Sequence, residues 1–227
     1  MQQTARFSRV HGRPAPAVSL RLQPVVHLQT GTLMGQVTET DRAFGDWVRF
    51  GPAADPEPAE NAVERVVSQI ETAAALAQTQ DNGARPLFVS LPMAALVAPL
   101  LAEACADAAG RAKLCPQEIC LMVDDSALLY RSRDMFIVIR DLRAVGLRVG
   151  IDARRTWDAP LTDGLRLLLD TVVVRVTDLD RSKALEESVV AADGAGMSVI
   201  VEGAHWRDAD WLADMGIRLA LRPRLDS

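Results

Sequence analysis

The feature that most constrains the fold is a regular alternation of short β-branched segments with longer amphipathic ones. From about residue 85 onward, each strand-like segment is followed by a helical segment and then by another strand-like segment. This spacing predicts parallel β–α–β units, since a helix is the usual connection between parallel strands. The predicted strands, eight in all, occupy residues 18–28, 33–40, 87–91, 119–123, 147–151, 172–176, 198–201 and 217–221.

The helical pattern supports an α/β class. Ahead of the third strand, Asn61 is the expected N-cap of a helix, with Glu64 three residues later and an apolar stripe after it. Eight strands permit a closed barrel, and the pattern alone leaves a doubly wound open sheet as the alternative. Residues 29–32 form a turn, so the first two strands are expected to pair as a hairpin. The later predicted helices occupy residues 93–109, 133–145, 161–168, 183–192 and 208–215.

Composition limits the possible partners and cellular location. The 227 residues are 49% apolar, which suits one packed domain over residues 17–227 after a flexible N-terminal tail, 1–16. No apolar stretch approaches the roughly 18 residues of a membrane span, and the start lacks a secretory signal, so we expect a cytoplasmic protein without membrane insertion. A net charge of −5 and 4% aromatic residues argue against a nucleic-acid partner. Cys105, Cys115 and Cys120 are expected to be reduced, buried thiols.

Five segments of the chain carry a recognisable set of motifs in a fixed order. They are Leu22–Gly31, Asp141–Asp152, Asp170–Arg175, Val201–His205 and Met215–Ile217. In this order they resemble the opening strand "QPIVDLxTG" and the motifs "LRxLGxxIALDD", "DxLKID", "AEGVE" and "LGC" of the EAL-domain cyclic-di-GMP phosphodiesterases of bacteria. The match covers about residues 20–222.

This resemblance implies a modified TIM (β/α)8 barrel of EAL type, with an antiparallel strand in the opening hairpin, the second strand being the reversed one. The final helix of the family would be truncated here. Active sites of such barrels lie at the carboxyl ends of the strands. In the family, two divalent cations are held there by carboxylates and an asparagine, and a lysine helps to position the attacking water.

Most positions aligned with those catalytic groups hold residues that cannot replace them. Asp152 and Glu202 keep their carboxylates, whereas the other aligned positions have changed. Hard cations need oxygen ligands, so we predict a degenerate domain, a pseudoenzyme without phosphodiesterase activity and without a cofactor. The changed positions are Val37, Ser90, Met122, Ala153, Val173, Arg175, His205 and Leu221.

The two remaining carboxylates allow two interpretations. Asp152 and Glu202 are candidates for a residual one-metal site, with His205 and Asp124 as helpers. The favoured alternative is that both carboxylates pair with Arg175, because an adjacent guanidinium removes much of the cost of burying them. For Asp124 and its neighbour Asp125, a cation site competes with a pair of solvated acids.

Other residues are candidates for contacting an intact dinucleotide. Arg154 and Arg155, and Arg42 near the family's phosphate-contacting position, suit bidentate phosphate contacts, although a solvated loop is the alternative for the first two. Trp206, beside His205, is a candidate for stacking on a guanine, with packing on the helix at 208–215 as the alternative. Trp211 is expected in the core or an interface.

Three functional hypotheses follow. The first is a non-catalytic regulator that acts through a protein partner or a second copy of itself in cyclic-di-GMP-related signalling, such as control of motility, attachment or flagella. The second is a receptor that binds cyclic-di-GMP without hydrolysing it. The third is a weak hydrolase that uses one metal at Asp152, Glu202 and His205.

Overall fold

Eight strands close into a barrel in the computed structural model of the chain, which describes residues 20–40, 58–80, 83–154 and 162–223. The strands follow one another around the barrel in chain order, which confirms the predicted barrel and excludes the open sheet. The strands are β1 (Leu20–His27), β2 (Leu33–Thr40), β3 (Leu87–Leu91), β4 (Ile119–Asp124), β5 (Arg148–Asp152), β6 (Thr171–Arg175), β7 (Ser198–Glu202) and β8 (Leu219–Leu221).

The reversed strand is β1, not β2 as expected. β1 runs antiparallel to both of its neighbours, β2 and β8, whereas β2 is parallel to β3. The turn between β1 and β2 explains the reversal, since His27 N donates to Thr32 O at 2.8 Å and so short a connection joins only antiparallel strands. β2 then reaches β3 through a helix, and that crossover sets β2 parallel to the remaining strands.

The described helices lie between the strands. None of them has the length and apolar character needed to cross a membrane. Labelled in chain order, the α-helices are α1 (Ala59–Thr79), α2 (Leu101–Arg111), α3 (Asp125–Ala144), α4 (Asp163–Arg166), α5 (Val176–Leu179), α6 (Lys183–Gly194) and α7 (Ala209–Asp214). Three 3₁₀ helices span Met93–Val97, Pro116–Glu118 and Trp206–Asp208.

Two helix starts differ from the prediction. Helix α1 begins at Ala59, two residues before Asn61, because the carbonyl of Pro58 accepts from Ala62 N at 3.1 Å and so starts the helical hydrogen bonds there. Helix α3 begins at Asp125 instead of residue 133, because the Asp124 side chain caps it by accepting from Ser126 N at 3.0 Å. Asp125 is fully buried, so the two acids are not a solvated pair, and Asp124 Oδ1 is engaged by Ser126.

Other boundaries moved for local reasons. The helix predicted over 93–109 is interrupted at Leu100, whose φ of +70° is incompatible with a right-handed helix. The strand predicted over 172–176 ends at Arg175, because Val176 opens the one-turn helix α5, which the sequence did not predict. Helix α4 is shorter than expected at both ends, and β8 begins at Leu219 instead of residue 217.

Successive side chains of each strand face opposite sides of the sheet and so build two apolar regions. On β4, Leu121 and Val123 join the large core between the strands and the helices, whereas Cys120 and Met122 point into the barrel. Interior side chains fill the barrel, as in other closed barrels of this size. The interior cluster consists of Val25, Phe88, Cys120, Met122, Val173, Ile200 and Leu221, with Val37 and Leu219 packed against it.

The cysteines follow the prediction at two of three positions. Cys105 and Cys120 are buried, and burial raises the pKa of each thiol to about 12. Cys115 is exposed, which corrects the expectation of a buried thiol. It lies outside the core because it caps the short 3₁₀ turn at Pro116, in the connection between α2 and β4.

Candidate functional site

The strand register gathers the aligned positions at one end of the barrel. Partnered residues on neighbouring strands point to the same side of the sheet, and Ser90 pairs with Met122, Asp152 with Val173, and Glu202 with Leu221. Because strands in such barrels are tilted, inward side chains from alternate strands lie at equal height and form layers of four.

Two such layers close the mouth of the barrel. The even layer comes from β2, β4, β6 and β8, and it consists of Val37, Met122, Val173 and Leu221. The odd layer comes from β1, β3, β5 and β7, lies one residue nearer the mouth, and consists of Gln23, Ser90, Asp152 and Glu202.

The even layer is entirely apolar. Its four side chains belong to or pack against the interior cluster, and Met122 fills the space that glycine leaves on the next strand, since a Cβ on Gly150 would lie 2.6 Å from Met122 Sδ. No side chain of this layer is able to coordinate a hard cation or move a proton. Ala153, directly after β5, is also buried and has only its backbone N–H to donate, to Val173 O at 2.9 Å.

The odd layer is polar, and Arg154 bridges two of its members. Arg154 Nε donates to Asp152 Oδ1 at 2.8 Å and Nη2 to Asp152 Oδ2 at 2.6 Å, while Nη1 donates to Glu202 Oε1 at 2.9 Å. The Arg154 side chain is only 13% exposed and Asp152 10%, against 36% for Glu202. The fork of Arg154 therefore holds one carboxylate bidentately and reaches the second with its remaining terminal nitrogen.

This arrangement corrects two expectations. Asp152 pairs with Arg154, not Arg175, because Arg154 lies two residues beyond Asp152 and folds back over it, its backbone N donating to Asp152 Oδ1 at 3.2 Å. Within the described part of the chain, Arg175 forms an ion pair with Glu202, at 3.6 Å between Nε and Oε2, with half of its side chain exposed. Arg154 is thus neither a solvated loop residue nor an unengaged phosphate clamp. Arg42 and Arg155 lie outside the described residues.

The charge of Arg154 is secure. Burial lowers its pKa, but the hydrogen bonds that it donates to Asp152 and the charges of Asp152 and Glu202 outweigh that effect, so the pKa is raised overall. The guanidinium therefore remains protonated throughout the pH range in which proteins fold.

The His205–Trp206 pair serves the fold in this structure. His205 N donates to Asp208 Oδ2 at 2.8 Å, which closes the 3₁₀ turn after β7. Trp206 is partly buried against the core, near the turn at Gly31, so packing describes it better than an open stacking platform. Trp211 is 42% exposed and is therefore not a core residue.

The residues present do not fit the two-cation site that the resemblance implies. Within the described ranges, no group of three or more histidine, cysteine or acidic side chains is arranged to hold a metal ion. Asp152 and Glu202 are both engaged by Arg154, and Asp124 is engaged as the cap of α3. The side chains of the even layer carry no oxygen or nitrogen with which to bind a hard cation.

Sequence reasoning missed Gln23. Its side chain is only 2% exposed, and its Nε2 has no hydrogen-bond partner among the described residues. The sequence does carry a signal for Gln23. It lies two residues before the interior residue Val25 on the same strand, and residues two apart on a strand face the same side of the sheet. A polar side chain in an inward register deserved to be considered with the site.

A second missed contact is the ion pair between Arg222 and Glu39. Arg222 Nη2 lies 3.0 Å from Glu39 Oε2, which joins the end of β8 to β2 across β1. Arg222 has a φ of +47°, an uncommon conformation for a residue with a side chain.

Fold and site together define an eight-stranded α/β barrel with a reversed first strand and its functional positions at the carboxyl ends of the other strands. The sequence profile described as the EAL domain matches residues 14–221, and the chain belongs to that family.

Solved structures show the same fold. The EAL domain of Mycobacterium smegmatis DcpA superposes with a TM-score of 0.68 at 21% identity, covering 90% of each chain. Klebsiella pneumoniae BlrP1, solved as a calcium and cyclic-di-GMP complex, gives 0.71 at 19% identity over 95% of this chain and 56% of that one. The PaMucR phosphodiesterase, solved with cyclic-di-GMP, gives 0.70 at 17% identity over 90% of this chain and 93% of that one.

A sequence relative comes from Azorhizobium caulinodans. This uncharacterized protein is 29% identical over 214 residues, which cover 85% of this chain but only 29% of the relative. The chain therefore spans less than a third of the length of the curated relative it matches.

Proposed function

We propose that this chain is a non-catalytic EAL-domain protein that regulates cyclic-di-GMP-related signalling through contact with another protein. The observation that carries the proposal is the apolar even layer at positions where the family keeps catalytic groups. Motility, surface attachment and flagellar control are the processes in which such a regulator would act, and the cytoplasm is where it would meet its partner.

The absence of hydrolysis is the first part of the proposal. Hydrolysis by two metals needs ligands that clamp the attacking and leaving oxygens, and it needs hydroxide near neutral pH. Val173 lies at the position of the family's lysine and is 4% exposed within an apolar cluster. No proton carrier replaces that lysine in the even layer.

Product analysis tests this part. The purified chain is incubated with cyclic-di-GMP and either Mg²⁺ or Mn²⁺, with the PaMucR phosphodiesterase as the positive control. We expect no linear product from this chain. Linear product above the buffer blank would refute the proposal and favour the hypothesis of a one-metal hydrolase at Asp152, Glu202 and His205.

Contact with a protein is the second part. Phe136 and Ile137 on α3 are about half exposed, and Leu167, directly after α4, is 77% exposed. A Cβ placed on Gly164 of α4 would lie 3.8 Å from Phe136 Cε2, so the two helices adjoin at this point. Exposed apolar side chains that lie close together are a common property of protein-binding surfaces.

Charge insertion at this surface tests the second part. Leu167→Asp is compared with wild type in sedimentation velocity and in co-purification from native cells, with Val97→Asp, another exposed site, as the matched control. We expect Leu167→Asp alone to lose the associated species, and the sedimentation mass distinguishes a second copy from a different protein. Equal association in all three would contradict contact at this surface.

A cyclic-di-GMP receptor is the alternative function, and two observations favour it. Arg175 is half exposed at the mouth and held only loosely by Glu202, and the nitrogen of the buried Gln23 amide has no partner in the part of the chain that the structure describes. Both offer donors to an anionic ligand. Calorimetry with cyclic-di-GMP decides between the functions: micromolar binding that Arg175→Ala abolishes and Arg140→Ala keeps would establish the receptor, and no binding would exclude it.

A further inference from the structure

Arg154 places a buried positive charge between the two carboxylates of the odd layer. Three of its nitrogens donate to oxygens of Asp152 and Glu202, at 2.6 to 2.9 Å. A guanidinium this little exposed is costly unless it is fully paired. Each carboxylate therefore offsets part of the cost of burying the arginine, and the arginine offsets the cost of burying both carboxylates.

The surroundings leave the carboxylates little other compensation. Beneath them lies the apolar even layer, and Asp152 is 10% exposed. Arg175, half exposed, approaches Glu202 at 3.6 Å. Two carboxylates that face one space over an apolar layer repel each other, and that repulsion is stronger than in water.

We infer that Arg154 is a permanent internal counter-ion that keeps the odd layer intact without any divalent cation and occupies the space such a cation needs. The inference builds on the non-catalytic part of the proposed function, but it does not depend on the partner or on nucleotide binding. Its consequence is specific. Without the guanidinium, Asp152 and Glu202 become oxygen ligands for a divalent cation, with waters completing the coordination shell.

Arg154→Met tests the inference, because methionine fills similar volume without charge. Unfolding temperature is measured for wild type and variant in EDTA and in excess Mg²⁺ or Mn²⁺. We expect the wild type to unfold at one temperature in all conditions. The variant should unfold earlier in EDTA and gain about 5 to 10 °C when metal exceeds its dissociation constant a hundredfold.

Two controls locate the effect. Adding Glu202→Gln to Arg154→Met removes one ligand, and it should abolish the gain with metal. Arg140→Met removes an arginine from the exposed ion pair with Asp141, and it should show no dependence on metal. Binding of Mn²⁺ is followed independently by its electron paramagnetic resonance signal, which is quenched on coordination.

The outcomes separate clearly. A wild type stabilised by metal as much as Arg154→Met would overturn the inference, because the guanidinium would then not occupy the cation's place. An Arg154→Met variant that gains nothing from metal would overturn it too. If that variant does not fold in EDTA, folding restored by Mn²⁺ supports the inference, and failure to fold in either condition moves the test to Arg154→Lys.

Arg154→Lys keeps one charge but lacks the fork that spans both carboxylates. Metal should raise the unfolding temperature of Arg154→Lys by less than the roughly 5 to 10 °C expected for Arg154→Met. An unfolding temperature of Arg154→Lys that metal does not raise at all would overturn the inference. Melting and product analysis are independent measurements. Linear product from the wild type would therefore defeat the proposed function while leaving the melting result to decide this inference.

Discussion

The two layers at the barrel mouth have opposite character although they lie one residue apart. Strands of even number contribute four apolar side chains that extend the interior cluster upward, and strands of odd number contribute polar ones, two of them joined through Arg154. Depth alone does not explain this difference, because Asp152 and Gln23 are as buried as the even layer. The difference is that the two carboxylates of the odd layer, Asp152 and Glu202, lie within hydrogen-bond reach of the Arg154 guanidinium.

This comparison implies that the even layer is part of the hydrophobic core, whereas the odd layer contains an ionic unit, Asp152 and Glu202 joined by Arg154, whose members depend on one another. Substitutions in the two layers should therefore fail in different ways.

The largest effect is expected from restoring a charge to the even layer. Val173→Lys introduces the lysine that the resemblance implies for this position, but it places an ammonium in an apolar cluster. An uncompensated buried charge costs about 3–5 kcal/mol of unfolding free energy. Urea unfolding measures the loss, and Val190→Lys on the exposed face of α6 is the control, with a change under about 0.5 kcal/mol. A Val173→Lys protein as stable as wild type would show that the even layer is not packed core.

The next effect is expected from the odd layer in the absence of metal. Arg154→Met leaves Asp152 without its guanidinium and Glu202 with the looser contact to Arg175, and we expect a loss of about 2–3 kcal/mol of unfolding free energy, below the full buried-pair value because Glu202 is partly solvated. Adding Asp152→Asn and Glu202→Gln should recover much of it, since neutral amides do not repel. The same urea unfolding measures the triple variant. If the three substitutions lower its unfolding free energy by the sum of their separate effects, the odd layer does not contain an ionic unit.

A smaller effect is expected at the exposed ion pair of Arg222. Arg222→Gly loses the contact with Glu39 but relieves a left-handed backbone, so we expect stability within about 1 kcal/mol of wild type. Thermal unfolding checks this value. If Arg222→Gly lost as much unfolding free energy as Arg154→Met, the exposure of an ion pair would not determine how much it contributes to stability.

The smallest perturbation uses the thiols as reporters. Cys120 lies in the barrel beneath Met122, and burial raises its pKa to about 12, as it does for Cys105, so neither should react with a thiol reagent at neutral pH. Cys115 should react at once. Absorbance with such a reagent should show one fast equivalent, and all three only after denaturation.

The same burial predicts a pH dependence. The unfolded thiols have their ordinary, lower pKa, and the folded ones a raised pKa, so the stabilising difference is complete below the unfolded value and is lost as the pH rises toward about 12. Unfolding at pH 7 and pH 10 should show lower stability at the higher pH. Cys120→Ala should reduce that dependence, and a dependence unchanged in this variant would contradict the assignment.

Much of the fold was predictable because its signals are local. The bounds of β2 and β3 match the predicted strands, since alternation and flanking turns define them within a few residues. Where the prediction erred, a capping or strained residue decided the boundary, as Asp124 did for α3 and Leu100 for the interrupted helix.

The site was predictable only in part. The resemblance located Asp152 and Glu202, but a motif alignment assigns each residue separately and does not say which side chain folds back on which. Arg154 belongs to the loop after β5, so its pairing depends on the path of the chain beyond Asp152. The two layers emerged only from register, because a layer takes its members from four strands far apart in sequence.

The reversal of β1 has a topological consequence for engineering. Leu20, which opens β1, pairs with Thr40 at the carboxyl end of β2, and Leu221 ends β8 beside Glu202. The start of β1 and the end of β8 therefore share the end of the barrel that carries Asp152 and Glu202. A fluorophore attached at Leu20 would lie at this face and report on whatever binds there.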